Sequence, residues 1–302
     1  MKTVILIPYF GSWPPWMDYF LESCRFNPHF SWILISDAGE PKNCPPNVQY
    51  KACSLDEFNQ LASSKLKLDI NINNPYKLCD LKPGYGFIFS ELISDYDFWG
   101  HSDLDLIYGN LNHFLGENIL SNYDIISSRK NYFAGHFGLF RNTDLHNQLF
   151  KNSSDYRRIF GDSYRYYGFD ERSNYYGRRI PINPNRNHKQ NLSSPSGLWI
   201  NRIKNKLKIG LPDFPADMSG IISEFSKQYP DRTYMKDMVK SDLWFQKNGM
   251  RDWKVTWEKG RLYSDNNEYL HFHFLQSKRN SNFIIKPFET TESFSISPEG
   301  IG

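Results

Sequence analysis

FWGHSDLDLIYGNL, residues 98–111, is the stretch on which the reading of the fold turns. The apolar run 96–100 reads as a short strand, and it leads directly into His101, Ser102, Asp103, Leu104 and Asp105. On an extended backbone residues i and i+2 point to the same side, so Asp103 and Asp105 are expected to face one direction at the strand's end. Two hard oxygen donors placed this way suit Mn²⁺ or Mg²⁺ bridging phosphate oxygens. Acidic residues after a strand are also common as loop residues and helix caps. Here Leu106 and Ile107 return at once to apolar character, so the pair interrupts a buried stretch, where unpaired charge is costly.

Upstream, residues 4–7 form an apolar β-branched run ending at Pro8, a buried first strand. Pro14 and Pro15 sit where a helix can begin, and Trp16, Phe20 and Cys24 follow at i, i+4, i+8. Residues 32–35 and 48–52 read as two more strands, and 55–66 as a helix with Ser54 as its N-cap. This β-α-β-β-α order requires crossover connections, so the expected fold class is α/β with a mainly parallel sheet flanked by helices. Such a sheet binds ligands at the carboxyl ends of its strands, where the acidic pair falls. A helix is expected over 77–93, kinked or divided by Pro83, then strands at 124–128 and 136–140.

Downstream the pattern weakens. Residues 156–176 are rich in Tyr and Arg and read as helix or loop. The segment 172–212 carries nine Lys or Arg and no Asp or Glu, and its middle is Asn-, Pro- and Ser-rich like a long exposed loop. Within it Trp199, Ile203 and Leu207 have helical spacing, while 202–209 also alternates as a strand would. Either form makes a basic surface suited to anionic lipid. Residues 253–273 look like strands around a turn at Lys259-Gly260, and a polar tail is expected beyond Lys278. The resulting division is a first half over 1–145, a second over 146–280 and a tail over 281–302.

Composition narrows the classes. A net charge of +3 gives no global sign of nucleic-acid binding. With 19 Tyr, 23 Phe and 8 Trp the chain has ample core fillers, which can also serve as platforms for sugar rings and bases. Four cysteines at 24, 44, 53 and 79 form no CxxC pair and fit reduced thiols. The opening MKTVILIPYF is broken too early by Pro8 for a signal peptide, and no run of about 18 apolar residues occurs, so a cytoplasmic location is expected.

The strand-DxD-apolar-Gly-Asn-Leu pattern resembles the metal-binding motif of glycosyltransferases of the glycosyltransferase-A fold. IPYFGSWPPW (7–16) with LISD (34–37) is similar to the nucleotide-binding end of that fold, and YKLCDLKPGYGFIF (76–89) to the helix before its DxD strand. As a set they resemble bacterial glycosyltransferase-like proteins linked to surface polysaccharide synthesis, over roughly residues 1–145. The resemblance implies that Asp103 and Asp105 hold a Mn²⁺ or Mg²⁺ ion and the diphosphate of a nucleotide sugar, with UDP favoured. Pro8, Tyr9 and Phe10 would lie against the base and Asp37 near the uracil or ribose. Lys77, Asp80 and Lys82 would reach the ribose, diphosphate or sugar, and Gly135 and His136 would belong to the loop on which the donor sugar rests. Tyr167-Gly168-Phe169-Asp170-Glu171 resembles the element that supplies the general base in inverting members, with the acidic order reversed. His273 and Lys278 are similar to a late histidine on the metal and a lysine on the diphosphate, although the usual glycine and proline are absent and His271 shares the strand face.

The implied partners are a nucleotide-sugar donor and a saccharide or lipid-linked oligosaccharide acceptor, with an anionic membrane surface contacted through 172–212 at the inner face of the plasma membrane. Two rival readings use the same residues. A metal-dependent phosphohydrolase would need further ligands such as His101 and Asp124. A non-catalytic carbohydrate-binding protein would use the aromatic residues and have no need of the acidic pair.

Overall fold

A computed structural model describes residues 1–171, 217–289 and 292–302. The basic segment 172–212, with its expected lipid-facing surface, therefore lies outside the described residues.

The first half follows the expected order: β1 (Thr3–Pro8), α1 (Met17–Arg25), β2 (Phe30–Ser36), β3 (Val48–Ala52) and α2 (Leu55–Leu66). Ser54 caps α2 through a full capping box, its hydroxyl accepting from Glu57 N–H while the Glu57 carboxylate reaches back to Ser54 N–H. The expected helix over 77–93 is divided around Pro83, which cannot supply an N–H to a continuous ladder. Its pieces are α3 (Leu78–Leu81) and α4 (Tyr85–Ile88), joined by a tighter turn over Lys82–Gly84. The strand before the acidic pair, β4 (Phe98–Ser102), begins two residues later than expected and takes in His101 and Ser102, both buried. β5 (Leu106–Tyr108), β6 (Ile125–Ser127) and β7 (Phe137–Arg141) follow.

The main sheet has seven strands in the order β3-β2-β1-β4-β7-β6-β8, where β8 is Thr233–Met235. β3, β2, β1 and β4 are parallel neighbours, β7 runs antiparallel to β4 and β6, and β8 pairs parallel with β6. The α/β, mainly parallel architecture is thus as expected, and the sheet crosses the expected boundary at 145 by taking β8 from the second half. One face of the sheet packs Val4, Leu6, Ile33, Ile35 and Trp99 against α2, α3 and α4. The other packs Ile5, Ile7, Trp32 and Leu34 against Phe20, Leu21 and Cys24 of α1. Residues 156–161 are helical, as one of the two readings of that stretch had it.

Two further sheets complete the chain. β9 (Val239–Ser241) and β13 (His271–His273) join β5 in a three-stranded sheet. β10 (Val255–Glu258), β11 (Arg261–Ser264), β12 (Asn267–Tyr269), β14 (Ile284–Ile285), β15 (Ser293–Ser297) and β16 (Gly300–Ile301) form a six-stranded sheet, β10 and β11 turning at Lys259-Gly260. Residues 281–302 are therefore not a polar tail. Phe283, Phe294, Ile296 and Ile301 are buried in one cluster with Tyr19, Val255 and Trp257. Short strands separated by polar turns have a polar average composition, which hides the alternate apolar positions that make the core. Among the described residues no helix is long and apolar enough to cross a membrane.

Candidate active site

The carboxyl ends of β1 and β4 open on a cleft of ≈ 670 Å³. From β1 come Pro8, Tyr9 and Phe10, and from the end of β4 come Asp103, Leu104 and Asp105. Tyr9 stacks on Trp13 with ring centroids 5.4 Å apart, which holds its ring at the rim. Phe10 also lines the cleft, but its ring is buried against Phe58 of α2. Asp37 does not line it: the carboxylate accepts the Gly11 N–H at 2.8 Å and so fixes the loop that follows β1. Trp16, which reads from the sequence as a helix residue and as the end of the 7–16 motif, carries no expected contact of its own. It lines the cleft and donates its indole N–H to the Leu104 carbonyl at 2.8 Å, fixing the turn between the two aspartates.

Sheet register brings a third group to the acidic pair. β13 runs antiparallel to β5 with His273 opposite Leu106, so His273 lands beside Asp105 across 168 residues of sequence. Its Nε2 stands 3.1 Å from Asp105 Oδ2. One ligand atom each from Asp103, Asp105 and His273 fall within 4.8 Å of one another. Lys278 donates to the same Asp105 oxygen. Burial pushes the Asp105 carboxyl up, but His273 and Lys278 outweigh it and hold the group well below the usual carboxylate range. His273 is correspondingly raised, because the neighbouring carboxylate overcomes the effect of its burial. His271 lies behind, fully buried among Tyr108, His136 and Phe137 with neither ring nitrogen hydrogen-bonded. The shared face predicted for the two histidines is real, yet His273 alone of the two reaches the acidic pair. Two carboxylates and an imidazole are a donor set that fits Mn²⁺ or Mg²⁺, and the cations now neutralising Asp105 occupy the electrostatic role such an ion would take.

Across the cleft Lys82 joins both acidic elements. Its Nζ donates to Asp103 Oδ1 at 2.5 Å, to the Gly135 carbonyl at 2.8 Å and to Asp170 Oδ2 at 3.3 Å. Burial would lower the Lys82 amine, but Asp103 and Asp170 hold it well above its ordinary value. Asp170 is itself buried, and its carboxyl is pushed up to about 8, chiefly by burial and against the pull of Lys82. The Tyr166 hydroxyl donates to its other oxygen at 3.2 Å. Glu171 lines the cleft half-buried. His136 lines it too, its ring 4.7 Å from that of His273, and its backbone carbonyl accepts the Asp103 N–H at 3.0 Å.

Two expected contacts are placed elsewhere. Lys77 and Asp80 do not line the cleft but form a fully buried pair at 2.7 Å beneath it. Lys77 Nζ also donates to the carbonyls of Ile159 and Arg165, each at 2.7 Å. Asp80 accepts the N–H groups of Tyr167 and Phe169 at 2.9 Å. Residues three apart share a face and the two pairs are offset by about half a turn, so Cys79 and Lys82 line the cleft while Lys77 and Asp80 tie the segment 159–169 to α3. Sequence reading also missed Arg129, two residues beyond β6, and Tyr166. Arg129 followed a strand without a motif, and Tyr166 was one of many tyrosines.

A sequence model described as a family of unknown function, DUF6625, matches residues 5–302. The chain belongs to that family. No curated protein matches it. Among solved structures it is similar to the galactosyltransferase LgtC, crystallised with donor and acceptor sugar analogs, at 14% identity and a TM-score of 0.32, covering 55% of this chain and 67% of that one. It is also similar to mouse xyloside xylosyltransferase 1 in its apo form, at 10% identity and a TM-score of 0.41, covering 92% of this chain and 99% of that one. Both likenesses are remote, and neither assigns a role to a residue of this chain.

Proposed function

We propose that this protein is a metal-dependent glycosyltransferase that moves a sugar from a nucleotide-sugar donor, with UDP favoured, to a saccharide acceptor. The observation that carries the reading is the convergence of Asp103, Asp105 and His273 beside Lys278 in one cleft at the carboxyl ends of the parallel strands. Asp103, Asp105 and His273 would hold the Mn²⁺ or Mg²⁺ ion, whose chemistry is to neutralise charge developing on a leaving diphosphate. Lys278 and Arg279, both lining the cleft, give the phosphates further cationic partners. The nucleobase lies against Tyr9 and Pro8. Asp170 accepts the proton of the acceptor hydroxyl if the reaction inverts, with Glu171 the alternative, and Lys82 orients Asp170 toward the Gly135-His136 loop where the sugar rests. The resemblance of residues 1–145 supports an acceptor that is a glycan or lipid-linked saccharide of bacterial surface polysaccharide synthesis, handled at the inner membrane face.

The phosphohydrolase alternative needs a second metal or an organised water site. Asp124, its candidate ligand, is taken up by Arg141 and by Arg232 at 2.6 Å and does not line the cleft. His101 is buried inside β4 against Phe133. A thermal-shift panel of nucleotide sugars with Mn²⁺ tests the proposal. A stabilising donor whose effect disappears in Asp105→Ala is the expected result. Stabilisation that is indifferent to metal and to Asp105, or steady release of sugar phosphate without acceptor, would overturn it.

A further inference from the structure

Arg129 and Arg279 are the two arginines of the cleft, and among the described residues neither is ion-paired; Arg129 is the one with a shielded, unsatisfied donor. Lys82 pairs with Asp103 and Asp170, and Lys278 with Asp105. Arg141 and Arg232 both spend their guanidinium groups on Asp124. Arg129 lines the cleft half-buried, and among the described residues no carboxylate lies within ion-pair distance of it. The guanidinium meets the Tyr132 side chain, but its Nε is shielded from water and has no hydrogen-bond partner. A guanidinium cannot relieve this by losing its proton, so a shielded donor edge carries a standing cost. The cost is removed when an oxyanion binds, and the fork of a guanidinium matches the two oxygens of a carboxylate or phosphate.

Its position says where that anion would sit. Arg129 and Tyr132 lie on the loop between β6 and β7, whose other end is Gly135-His136. The Gly135 carbonyl accepts from Lys82 and the His136 carbonyl from the Asp103 N–H, so Arg129 stands on the loop on which the donor sugar would rest. In the proposed reading the diphosphate would be met by an ion on the acidic pair together with Lys278 and Arg279, a cationic set complete without Arg129. We propose that Arg129 reads a second oxyanion, a carboxylate or phosphate carried by the reacting saccharide and separate from the diphosphate. This rests on the glycosyl-transfer reading and names its substrate class: an acidic sugar, on the donor or on the acceptor.

Calorimetry with Mn²⁺ on wild type, Arg129→Gln and Arg129→Lys separates the possibilities. The expected donor result is that UDP-glucuronate binds wild type at least about tenfold more tightly than UDP-glucose, as one charged hydrogen-bonded contact should give. Arg129→Gln loses that preference and Arg129→Lys keeps part of it, while UDP alone binds all three alike. If the donors bind equally, glucuronate, glucose and glycerol phosphate titrated into the UDP–Mn²⁺ complex test the acceptor. Acid-selective binding that Arg129→Gln abolishes then puts the anion there. Equal binding of acidic and neutral sugars throughout overturns the proposal, as does a loss of UDP affinity in Arg129→Gln. If UDP does not bind wild type at all, the parent reading fails on its own. Glucuronate and inorganic phosphate titrated alone then still decide whether Arg129 holds an oxyanion.

Discussion

Gly135 lacks a side chain because Asp170 stands where one would be: a Cβ there would lie 2.5 Å from Asp170 Oδ2. The close approach lets the Gly135 carbonyl and the Asp170 carboxylate share the Lys82 ammonium, and it keeps the carboxylate dry. The raised carboxyl, at about 8, has a consequence for stability. An unfolded Asp ionises near 4, so between about pH 4 and 8 the folded protein holds a proton that the unfolded chain releases. The contribution of Asp170 is full below that window and is lost as pH rises through it. Asp170→Asn, which cannot ionise, should therefore gain on wild type as pH is raised from 5 to 9. The gain is read as a difference in Tm of a few degrees, at roughly 2 °C per kcal/mol in a large domain. The same variant should lose about 10²- to 10⁴-fold in transfer rate while donor affinity stays near wild type, as expected of a general base. Unchanged turnover would remove Asp170 from the chemistry.

At the scale of elements, α3 with its flanking residues Lys77 and Lys82 shows how one short stretch can serve two surfaces. Its cleft face presents Cys79 and Lys82, and its inner face carries the Lys77–Asp80 pair that anchors the segment leading to Asp170. Burial pushes the Lys77 amine down and the Asp80 carboxyl up, so the pair is held by its hydrogen bonds and not by an easy electrostatic gain. Asp80→Asn leaves a buried ammonium uncompensated and should cost about 3–5 kcal/mol in denaturant unfolding. The double change Lys77→Met with Asp80→Leu should recover part of that loss, and a single substitution costing nothing would contradict this account.

Here too lies the boundary of what the sequence discloses. The strands 4–7, 32–35 and 48–52, the cap at Ser54 and the break at Pro83 are local, so periodicity and capping chemistry reveal them. The acidic pair is equally local. The resemblance places Lys77 and Asp80 at the ligand, but the carbonyls that Lys77 binds and the N–H groups that Asp80 accepts lie more than 80 residues away. Arg129 is silent for the same reason: a lone arginine after a strand acquires meaning only when its loop is laid beside Gly135 and His136.

At the scale of the molecule, the six-stranded sheet packs its core onto α1. Tyr19 of α1 meets Phe288 and Phe294, and Trp257 stacks on Phe294 at 4.8 Å while donating its indole N–H to the Tyr108 carbonyl at 2.9 Å. Phe294→Ala should cost about 3–5 kcal/mol and make the chain beyond 281 sensitive to brief proteolysis, detected by mass. Survival of this segment in the variant would show that its strands are held by backbone pairing alone.

The antiparallel register of β13 against β5 also imposes an order of events on synthesis. By the time the ribosome has made the first 145 residues, both aspartates exist, together with six of the seven strands that carry them. Their imidazole partner is translated more than 120 residues later, so a nascent or prematurely ended chain can possess a nearly complete α/β layer and still lack the third member of the Asp103–Asp105–His273 cluster.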